Sequence, residues 1–319
     1  MLFRSLIHQW AKAIVEANLD LALRPDALRS LQFLRLGDSV NLTEGPSDAS
    51  RLYDAVLLAC HALDFNEADA RRVAAAWRAQ YIRVGKFDAA QWPDQAQDFG
   101  LPTWSRQEAG LPCPQRMGLY AVLPNAAWVK RMAQAGAPAI QMRFVSDDMY
   151  AIKHEVFAAV EAVRGTQSLL FINNHWQAAV EAGAYGVHLG REDLNLSNLD
   201  TLRRAELRVG ISARGYEDIF QAHSARASYI ALGPVFPLPN QHPRVVTQGL
   251  ARLKRYASLL AKHPTVAFGG IRPDSVPAVL ACGVGTVATK HGLTQANNPE
   301  EQLRVYLAAI DGSHRAARG

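Results

Sequence analysis

The first part of the chain, residues 1 to about 98, repeats its apolar positions at intervals of three and four residues. The stretch NEADARRVAAAWRAQYIRV opens with Asn66, a residue type that favours a helix N-cap, and Asp69 follows three positions later. Apolar or aromatic side chains then recur at helical spacing, including Val73, Ala76 and Tyr81. This pattern predicts an amphipathic helix after Asn66 and a helical segment over residues 1–98.

The next stretch, DFGLPTWSRQEAGLPCPQR from Asp98 to Arg116, interrupts the periodicity with glycine and proline. We therefore predict a linker over residues 99–116. It leads to a second domain, residues 117–319, whose pattern is different.

In this second domain, short β-branched runs alternate with amphipathic helical segments such as NAAWVKRMAQAG and HWQAAVEAG. The runs are GLYAVL, AIQMRF, LLFIN, YGVHLG, RVGISA, YIALGPV, TVAFGG and GTVATK. Eight strand-helix units predict an α/β fold, a closed (β/α)8 TIM barrel. An open doubly wound sheet is the alternative, but no glycine-rich fingerprint follows the first strand.

The composition narrows the class of protein. Hydrophobic residues make up 49% and charged residues 20% of the 319 positions, and no apolar run reaches the roughly 18 residues of a membrane span. The net charge of +5 is spread along the chain, so we expect neither a nucleic-acid nor a membrane partner, whereas phosphorylated substrates fit it. Three cysteines without metal spacing, and an N-terminus without a signal-peptide pattern, lead us to expect a cytoplasmic protein.

Residues that could bind a ligand through a polar side chain or a backbone N–H group stand at the ends of six predicted strands, and the carboxyl ends of barrel strands are where functional sites lie. They are Gln141, Arg143, Asn173, Asn174, Glu192, Asp193, Ser212, Arg214, Gly269, Gly270, Lys290 and His291. A guanidinium such as that of Arg143 can hold two phosphate oxygens, amide and carboxylate oxygens can bind Mg²⁺, and the last two strand ends are the ordinary place for a barrel phosphate site. Together these ends favour a phosphate-handling site over a bare scaffold.

Several of these residues also have a purely structural interpretation. His188 shares the face of Gly190 and so points into the barrel, where a neighbour could satisfy it without any catalytic role. Glu192 could begin the next helix, where the helix dipole favours a carboxylate. Asn173 and Asn174 could cap the helix that starts near His175.

Five longer motifs of the second domain occur in order between about Gly118 and Ile310. They are LLFINNHWQAAVEAGAYGVHLGREDL, YIALGPVFP, QGLARLKRY, PTVAFGGI and VPAVLACGVGTVA. In this combination they resemble the thiamine-phosphate synthase family, including its thiazole tautomerase branch. The resemblance implies a transferase that joins hydroxymethylpyrimidine diphosphate to thiazole phosphate with Mg²⁺. Diphosphate leaves first, and the thiazole nitrogen captures the resulting pyrimidine cation.

The resemblance implies a role for each of the candidate positions. Arg143 and Ser212 would be catalytic, and Asp193 with Asn174 would bind the metal. The remaining positions would bind substrate: Gln141, Asn173, His188, Gly233, Gly269, Gly270, Lys290 and His291.

Several positions, including some of these candidates, depart from the family pattern. Val145 stands where the Gln-x-Arg-x-Lys clamp has its lysine, Asn174 replaces the first magnesium-binding aspartate, and His291 replaces a serine after strand 8. The Thr-His pair after Ser212 is replaced by Ala213 and Arg214, and the diphosphate loop, normally Pro-Thr-x-Thr-Lys, has Leu238, Asn240 and Gln241. We therefore expect a weakened Mg²⁺ site and impaired coupling.

Positive charge stands at other predicted mouth positions, namely Arg191, Arg214, Lys290 and His291. A phosphorylated ligand could still bind there. The alternatives are thus a non-catalytic phospho-ligand-binding or regulatory barrel, or a tautomerase-like enzyme with His188 or His291 as its base.

In the N-terminal segment, DAVLLACHALDFNEADARRVAAAWRAQYI faintly resembles the last two helices of the ribokinase-like hydroxymethylpyrimidine kinases. No glycine-rich anion loop precedes it, so we predict a helical packing module.

Overall fold

The computed structural model describes residues 2–34, 47–105, 110–194, 196–237 and 246–316. The chain forms two compact units. One comprises Met1–Thr103 with Gly215–Phe220, and the other comprises Trp104–Arg214 with Gln221–Gly319. The first unit is helical and the second is a barrel.

In the helical unit, the longest helices are α1 (Leu2–Ala17), α3 (Asp48–Ala62) and α4 (Glu67–Val84), and a short helix, α2 (Ala27–Leu31), lies between α1 and α3. A 3₁₀ turn, Leu19–Leu21, follows α1. Helix α3 packs against both α1 and α4. The apolar faces of these helices meet in a core that includes Ile14, Leu52, Val56, Val73 and Trp77.

Helix α4 confirms the amphipathic helix predicted from the sequence. Asn66 Oδ1 accepts the backbone N–H of Asp69 at 2.9 Å, and Asn66 Nδ2 donates to Asp69 Oδ2 at 2.7 Å, so the cap is reciprocal. Val73 is buried and Tyr81 half-buried on its inner face. The helix ends at Gly85, whose φ of +78° lies in the left-handed region that glycine adopts without strain.

The second unit is a closed barrel in which eight parallel strands pair in sequence order and the last strand pairs with the first. The strands are β1 (Gly118–Leu123), β2 (Ala139–Met142), β3 (Leu169–Asn173), β4 (Gly186–Leu189), β5 (Arg208–Ala213), β6 (Tyr229–Leu232), β7 (Thr265–Ala267) and β8 (Thr286–Thr289). This topology confirms the predicted (β/α)8 fold.

Helices follow the strands on the outside of the barrel, as the alternating pattern predicts. They are α5 (Ala126–Gln134), α6 (Met149–Val163), α7 (Trp176–Ala182), α8 (Leu196–Arg204), α9 (Tyr216–Ser224), α10 (Gly249–Leu259), α11 (Val276–Leu280), α12 (His291–Thr294) and α13 (Pro299–Ala316). Two 3₁₀ turns, Arg191–Asp193 and Pro273–Ser275, complete the connections.

The amino end of the barrel is closed by residues that precede β1. Residues 110–117 form no helix or strand, yet Cys113 and Met117 belong to the same buried cluster as Tyr120, Phe171 and Tyr229. Met117 is anchored there, because its backbone N–H donates to Thr286 Oγ1 at 2.9 Å. The last residues before β1 are thus part of the barrel core.

The centre of the barrel is aromatic. The ring of Tyr229 lies 5.1 Å from that of Phe171 and 5.7 Å from that of Tyr120, measured between ring centroids. Glycines make this possible, because a Cβ on Gly186 would lie 2.9 Å from the Phe171 ring. A Cβ on Gly210 would be even closer to Tyr229, at 2.0 Å.

Candidate active site

A chain of polar side chains runs from this aromatic centre to the carboxyl ends of the strands. The hydroxyl groups of Tyr120 and Tyr229 are 2.5 Å apart, and the Tyr229 hydroxyl is 2.8 Å from His188 Nδ1. His188 Nε2 lies 2.9 Å from Ser212 Oγ. His188 is only 7% exposed, whereas Ser212, near the end of β5, is partly exposed. The sequence correctly predicts that His188 points inward, and its neighbours satisfy both ring nitrogens.

The side chains of this hydrogen-bonded series are uncharged at neutral pH. Burial, assisted by the positive charge of Arg143, lowers the pKa of His188 to about 4. Burial likewise raises the pKa of the Tyr120 and Tyr229 hydroxyls well above their usual range. The barrel therefore presents a neutral imidazole, flanked by hydroxyl groups, beneath its mouth.

Arg143 follows β2 on the face of Gln141 and of Ala139, which lies in the barrel core. Gln141 is buried, and Arg143 is exposed at the mouth, with its backbone N–H donating to Leu123 O at 2.8 Å. Val145, two residues further on, is 84% exposed. Of the two cationic positions in the Gln-x-Arg-x-Lys pattern, this chain thus keeps the guanidinium of Arg143 and has the apolar side chain of Val145 at the other.

Asn173 and Asn174 lie beside His188. Asn173 is the register partner of His188 on the neighbouring strand, and Asn173 Nδ2 donates to the His188 carbonyl oxygen at 3.3 Å. The same carbonyl oxygen also accepts the backbone N–H of Asn174 at 3.0 Å. Helix α7 has His175 as its N-cap and no side-chain capping bond, so the capping interpretation of the asparagines is wrong. Asn174 has instead a φ of +51°, and its side chain is exposed at the mouth.

Asp193 ends the 3₁₀ turn after β4. Its Oδ2 accepts the Gly190 backbone N–H at 3.0 Å, and its own N–H donates to the Gly190 carbonyl at 3.2 Å. Glu192 lies in the first turn of this 3₁₀ helix, which agrees with the interpretation that its carboxylate begins the next helical element. Within the described ranges, no group of three or more His, Cys, Asp or Glu residues could hold a metal. The oxygen donors here suit Mg²⁺ that is shared with a phosphorylated ligand, since Mg²⁺ is commonly bound by one or two carboxylates and phosphates.

The loops after β6 and β7 form the other side of the mouth. The peptide between Gly233 and Pro234 is cis, and Val235 N–H donates to Phe268 O at 2.9 Å. A Cβ on Gly233 would lie 2.3 Å from that same oxygen, so the two loops approach closely only because this residue is glycine.

Gly269 and Gly270 have φ angles of +98° and +65°. A Cβ on Gly269 would lie 2.5 Å from Pro234 Cβ, so side chains are excluded from this turn. Lys290 and His291, at the start of α12 beyond β8, are both exposed. Glycine backbone and two basic side chains therefore follow β7 and β8, as the sequence analysis predicts.

The predicted residues fall into two groups around one rim of the barrel. Arg143, Asn173, His188, Asp193 and Ser212 lie at the ends of β2 to β5, and Gly233, Gly269, Gly270, Lys290 and His291 lie at the ends of β6 to β8. Arg191 and Arg214 are exposed beyond β4 and β5. Leu238, Asn240 and Gln241 lie outside the described residues.

Two features of the mouth were missed by sequence reasoning. Tyr229 and Tyr120 lie in quoted strand runs but were not recognised as polar partners of His188. Gln248, the first residue of the motif QGLARLKRY, is buried and donates from Nε2 to the carbonyl oxygens of Arg214 at 2.9 Å and Gly233 at 3.0 Å. The sequence signal that could have pointed to Gln248 is its position directly before the helical pattern of α10.

A TIM barrel with arginine, amide, carboxylate and glycine groups around its rim is typical of enzymes that handle phosphorylated small molecules. The chain belongs to the thiamine monophosphate synthase family, whose model matches residues 119–293. This confirms the predicted family, a family of transferases.

Individual relatives agree with this assignment. A thiamine-phosphate synthase of Neisseria meningitidis serogroup A is 40% identical over 202 residues, which cover 63% of this chain and 98% of that protein. One from Yersinia pestis is 41% identical over 202 residues, covering 63% and 94%. A solved structure of thiamine phosphate pyrophosphorylase from Pyrococcus furiosus is 25% identical with a TM-score of 0.56, covering 62% of this chain and 96% of that one. In the parts of the chain that the structure describes, no helix is long and apolar enough to cross a membrane.

Proposed function

We propose that the barrel, residues 117–319, couples hydroxymethylpyrimidine diphosphate with thiazole phosphate to give thiamine phosphate and diphosphate. The observation that carries this proposal is the convergence of Arg143, Asn173, Asp193 and Ser212 at the carboxyl ends of neighbouring strands in a member of this family. Relatives that this chain covers almost completely bear the name thiamine-phosphate synthase.

The protein's part in such a reaction is to orient two ligands and to stabilise a leaving diphosphate. The exposed guanidinium of Arg143 can grip two oxygens of the diphosphate. The buried Gln141 and the His188–Ser212 pair face the interior, where the pyrimidine would sit. The turn of Gly269 and Gly270, with Lys290, would receive the phosphate of the thiazole.

We further propose that Mg²⁺ binds with the diphosphate at Asp193 and Asn174. Asp193 uses Oδ2 for the Gly190 N–H, and its Oδ1 has no hydrogen bond or ion pair to any described residue. The bound ion would offset the charge that develops on the leaving group. Because an amide replaces one carboxylate, the protein's own affinity for the ion should be weak.

The same replacements lead us to propose a reduced coupling rate. Val145 and Asn174 supply no charge where the family pattern has a lysine and an aspartate. Each lost charged contact of this kind often costs about 2–4 kcal/mol of transition-state stabilisation, so two losses would lower the rate by several powers of ten even without full additivity. Basic side chains stand instead at other positions of the rim, namely Arg191, Arg214, Lys290 and His291.

Two further assignments belong to this proposal. We assign residues 1–98 as a helical packing module and residues 99–116 as the connection to the barrel. We also place the reaction in the cytoplasm, and this is supported by Cys60, Cys113 and Cys282, none of which forms a disulfide.

The proposal is tested by incubating the full-length protein with hydroxymethylpyrimidine diphosphate, thiazole phosphate and Mg²⁺ and measuring thiamine phosphate. Calorimetric titration with each substrate should accompany the assay. Formation of thiamine phosphate that requires Mg²⁺ is the expected result. Binding of either substrate without turnover would favour the phospho-ligand-binding alternative, and no binding of either would overturn the proposal.

A further inference from the structure

The side chains of Tyr120, Tyr229, His188 and Ser212 form one hydrogen-bonded chain that is closed at its inner end. The Tyr120 hydroxyl is fully buried, and within the described part of the protein its hydrogen-bond partner is the Tyr229 hydroxyl. The nearby Cys113 thiol makes no hydrogen bond to either tyrosine. Only the outer end, at Ser212, opens toward the mouth.

A neutral imidazole has one N–H donor and one acceptor nitrogen, and the ring of His188 is buried with one hydroxyl group at each nitrogen. The chain therefore has two complete arrangements of its protons. In the outward arrangement, Tyr120 donates to Tyr229, Tyr229 donates to His188 Nδ1, and His188 Nε2–H donates to Ser212 Oγ. In the inward arrangement every one of these donations is reversed.

The two arrangements differ at the closed end. In the outward arrangement every buried donor has an acceptor, and the Ser212 O–H is left free at the mouth. In the inward arrangement the Tyr120 O–H must donate, yet its partner among the described residues, the Tyr229 hydroxyl, already donates to it. A buried donor without an acceptor has given up its hydrogen bond to water and gained no other bond in its place. This cost shifts the equilibrium between the two arrangements by about tenfold or more toward the outward one.

We propose that Tyr229, at the closed inner end of the barrel, is a positioning residue that holds His188 in its Nε2–H tautomer, so that Ser212 presents a hydrogen-bond donor to the ligand. The part of this inference that concerns the ligand rests on the proposed function, and the tautomer itself does not. Ser212 then selects for a hydrogen-bond acceptor on the bound molecule.

The arrangement also separates two kinds of chemistry. A serine-histidine pair acts as a base only if the imidazole has a lone pair on the nitrogen that faces the serine. Here that nitrogen, Nε2, carries the proton, and Nδ1 is occupied by the Tyr229 hydroxyl. The pair stabilises a ligand by donating a hydrogen bond, and it does not remove a proton as a tautomerase would require.

The tautomer is measured by nitrogen NMR of the ligand-free, full-length protein labelled with ¹⁵N-histidine at neutral pH. The signals of His188 are identified by their loss in His188→Gln. A pyridine-like Nδ1 and a pyrrole-like Nε2 are expected. The reverse assignment would overturn the inference, and because no ligand is present it would leave the proposed function untouched.

Two tyrosine variants sharpen the test. In Tyr229→Phe, Nδ1 loses its donor, so its signal should move toward that of an unbonded nitrogen or average between the two tautomers. In Tyr120→Phe, Tyr229 becomes the closed end and can still donate, so the Nε2–H tautomer should persist. Tyr306→Phe is the matched control, because the Tyr306 hydroxyl bonds to Ile271 O at 3.0 Å and Thr289 Oγ1 at 3.2 Å and not to this chain. His188 signals that do not respond to Tyr229→Phe would contradict the inference.

Discussion

The ring of Tyr229 occupies the space that any side chain at Gly210 would need. A Cβ placed on Gly210 would lie 2.0 Å from Cζ of that ring, and the two residues are register partners on the adjacent strands β5 and β6. Glycine in the middle of a buried strand is therefore a packing requirement, because it lets the phenol reach His188.

From this contact we predict that Gly210→Ala lowers the free energy of unfolding by about 1–3 kcal/mol or more, the usual cost of overpacking a core. Denaturant unfolding would measure the change. Gly136→Ala and Gly312→Ala are the controls, since no atom lies within 4 Å of a Cβ at either position. At Gly136 the φ of +91° adds backbone strain, so Gly312 is the cleaner comparison. A Gly210→Ala protein as stable as Gly312→Ala would contradict the packing argument.

Removing the guanidinium at the mouth should weaken catalysis without weakening the fold. For Arg143→Ala we predict a loss of about 10²–10³-fold in kcat/KM for the coupling reaction, because a preorganised donor to the leaving diphosphate disappears. Arg164→Ala is a suitable control, since Arg164 is an exposed arginine whose ion pair with Glu161 is on the surface. Equal losses in both variants would count against a clamp at Arg143.

Restoring the charges of the family pattern should speed the reaction. Val145→Lys places a cation at a position that is 84% exposed, and Asn174→Asp places a carboxylate at a φ of +51°, which aspartate tolerates. We predict that the double variant raises kcat/KM by about tenfold or more and lowers the Mg²⁺ concentration needed for half-maximal rate.

The control for added charge alone is Val305→Lys, on the exposed side of α13. It should leave both quantities unchanged. If the double variant behaves like this control, the mouth has been adapted to another ligand, and reduced coupling is not explained by the two lost charges.

Stability should depend on pH through a partly buried histidine pair in the barrel unit. The rings of His223 and His263 are 5.7 Å apart between centroids, and burial lowers the pKa of both, that of His263 to about 4 with a contribution from the charge of His223. Buried atoms of both rings, His223 Nδ1 and His263 Nε2, have no hydrogen-bond partner among the described residues.

The sign follows from proton binding. In the unfolded chain His263 has a pKa of about 6.5, so it binds a proton below that pH, whereas the folded protein leaves it neutral down to a pH of about 4. The free energy of unfolding therefore falls as the pH drops from about 6.5 toward 4. We predict a loss on the order of 2–3 kcal/mol from His263 over this range, measured by denaturant unfolding at several pH values. His263→Gln should flatten the dependence, and His154→Gln, at an exposed histidine, should not.

The fold could be predicted from the sequence because each strand is a short β-branched run and an amphipathic helix follows it. The spacing of the apolar residues within each segment is therefore enough to identify it as a strand or a helix. Tyr120 and Tyr229 show what this kind of reasoning misses. Both were recognised as strand residues, yet their hydroxyl groups meet across 109 positions of sequence, and only the register of the closed barrel brings them together. No local pattern contains that register.

The asparagines after β3 show a different limit. Their composition suits a helix cap as well as a ligand site, and the choice depends on one backbone angle, the positive φ of Asn174, which moves the cap to His175. The prediction that Asn173, Asn174, Asp193 and Ser212 lie near one rim needed only the rule that strand ends converge. The hydrogen bonds that orient these residues could not be read from their spacing.

The packing of Cys113 and Met117 beneath Tyr120 and Phe171 has a kinetic consequence. These residues fill the amino end of the barrel. Any molecule that reaches the interior must therefore enter and leave at the carboxyl ends of the strands. A ligand that sits deepest must enter first, and it is trapped for as long as a second one lies above it. Binding at this barrel should therefore be ordered, and a molecule that contacts the buried His188 should enter before any molecule that covers it from the rim.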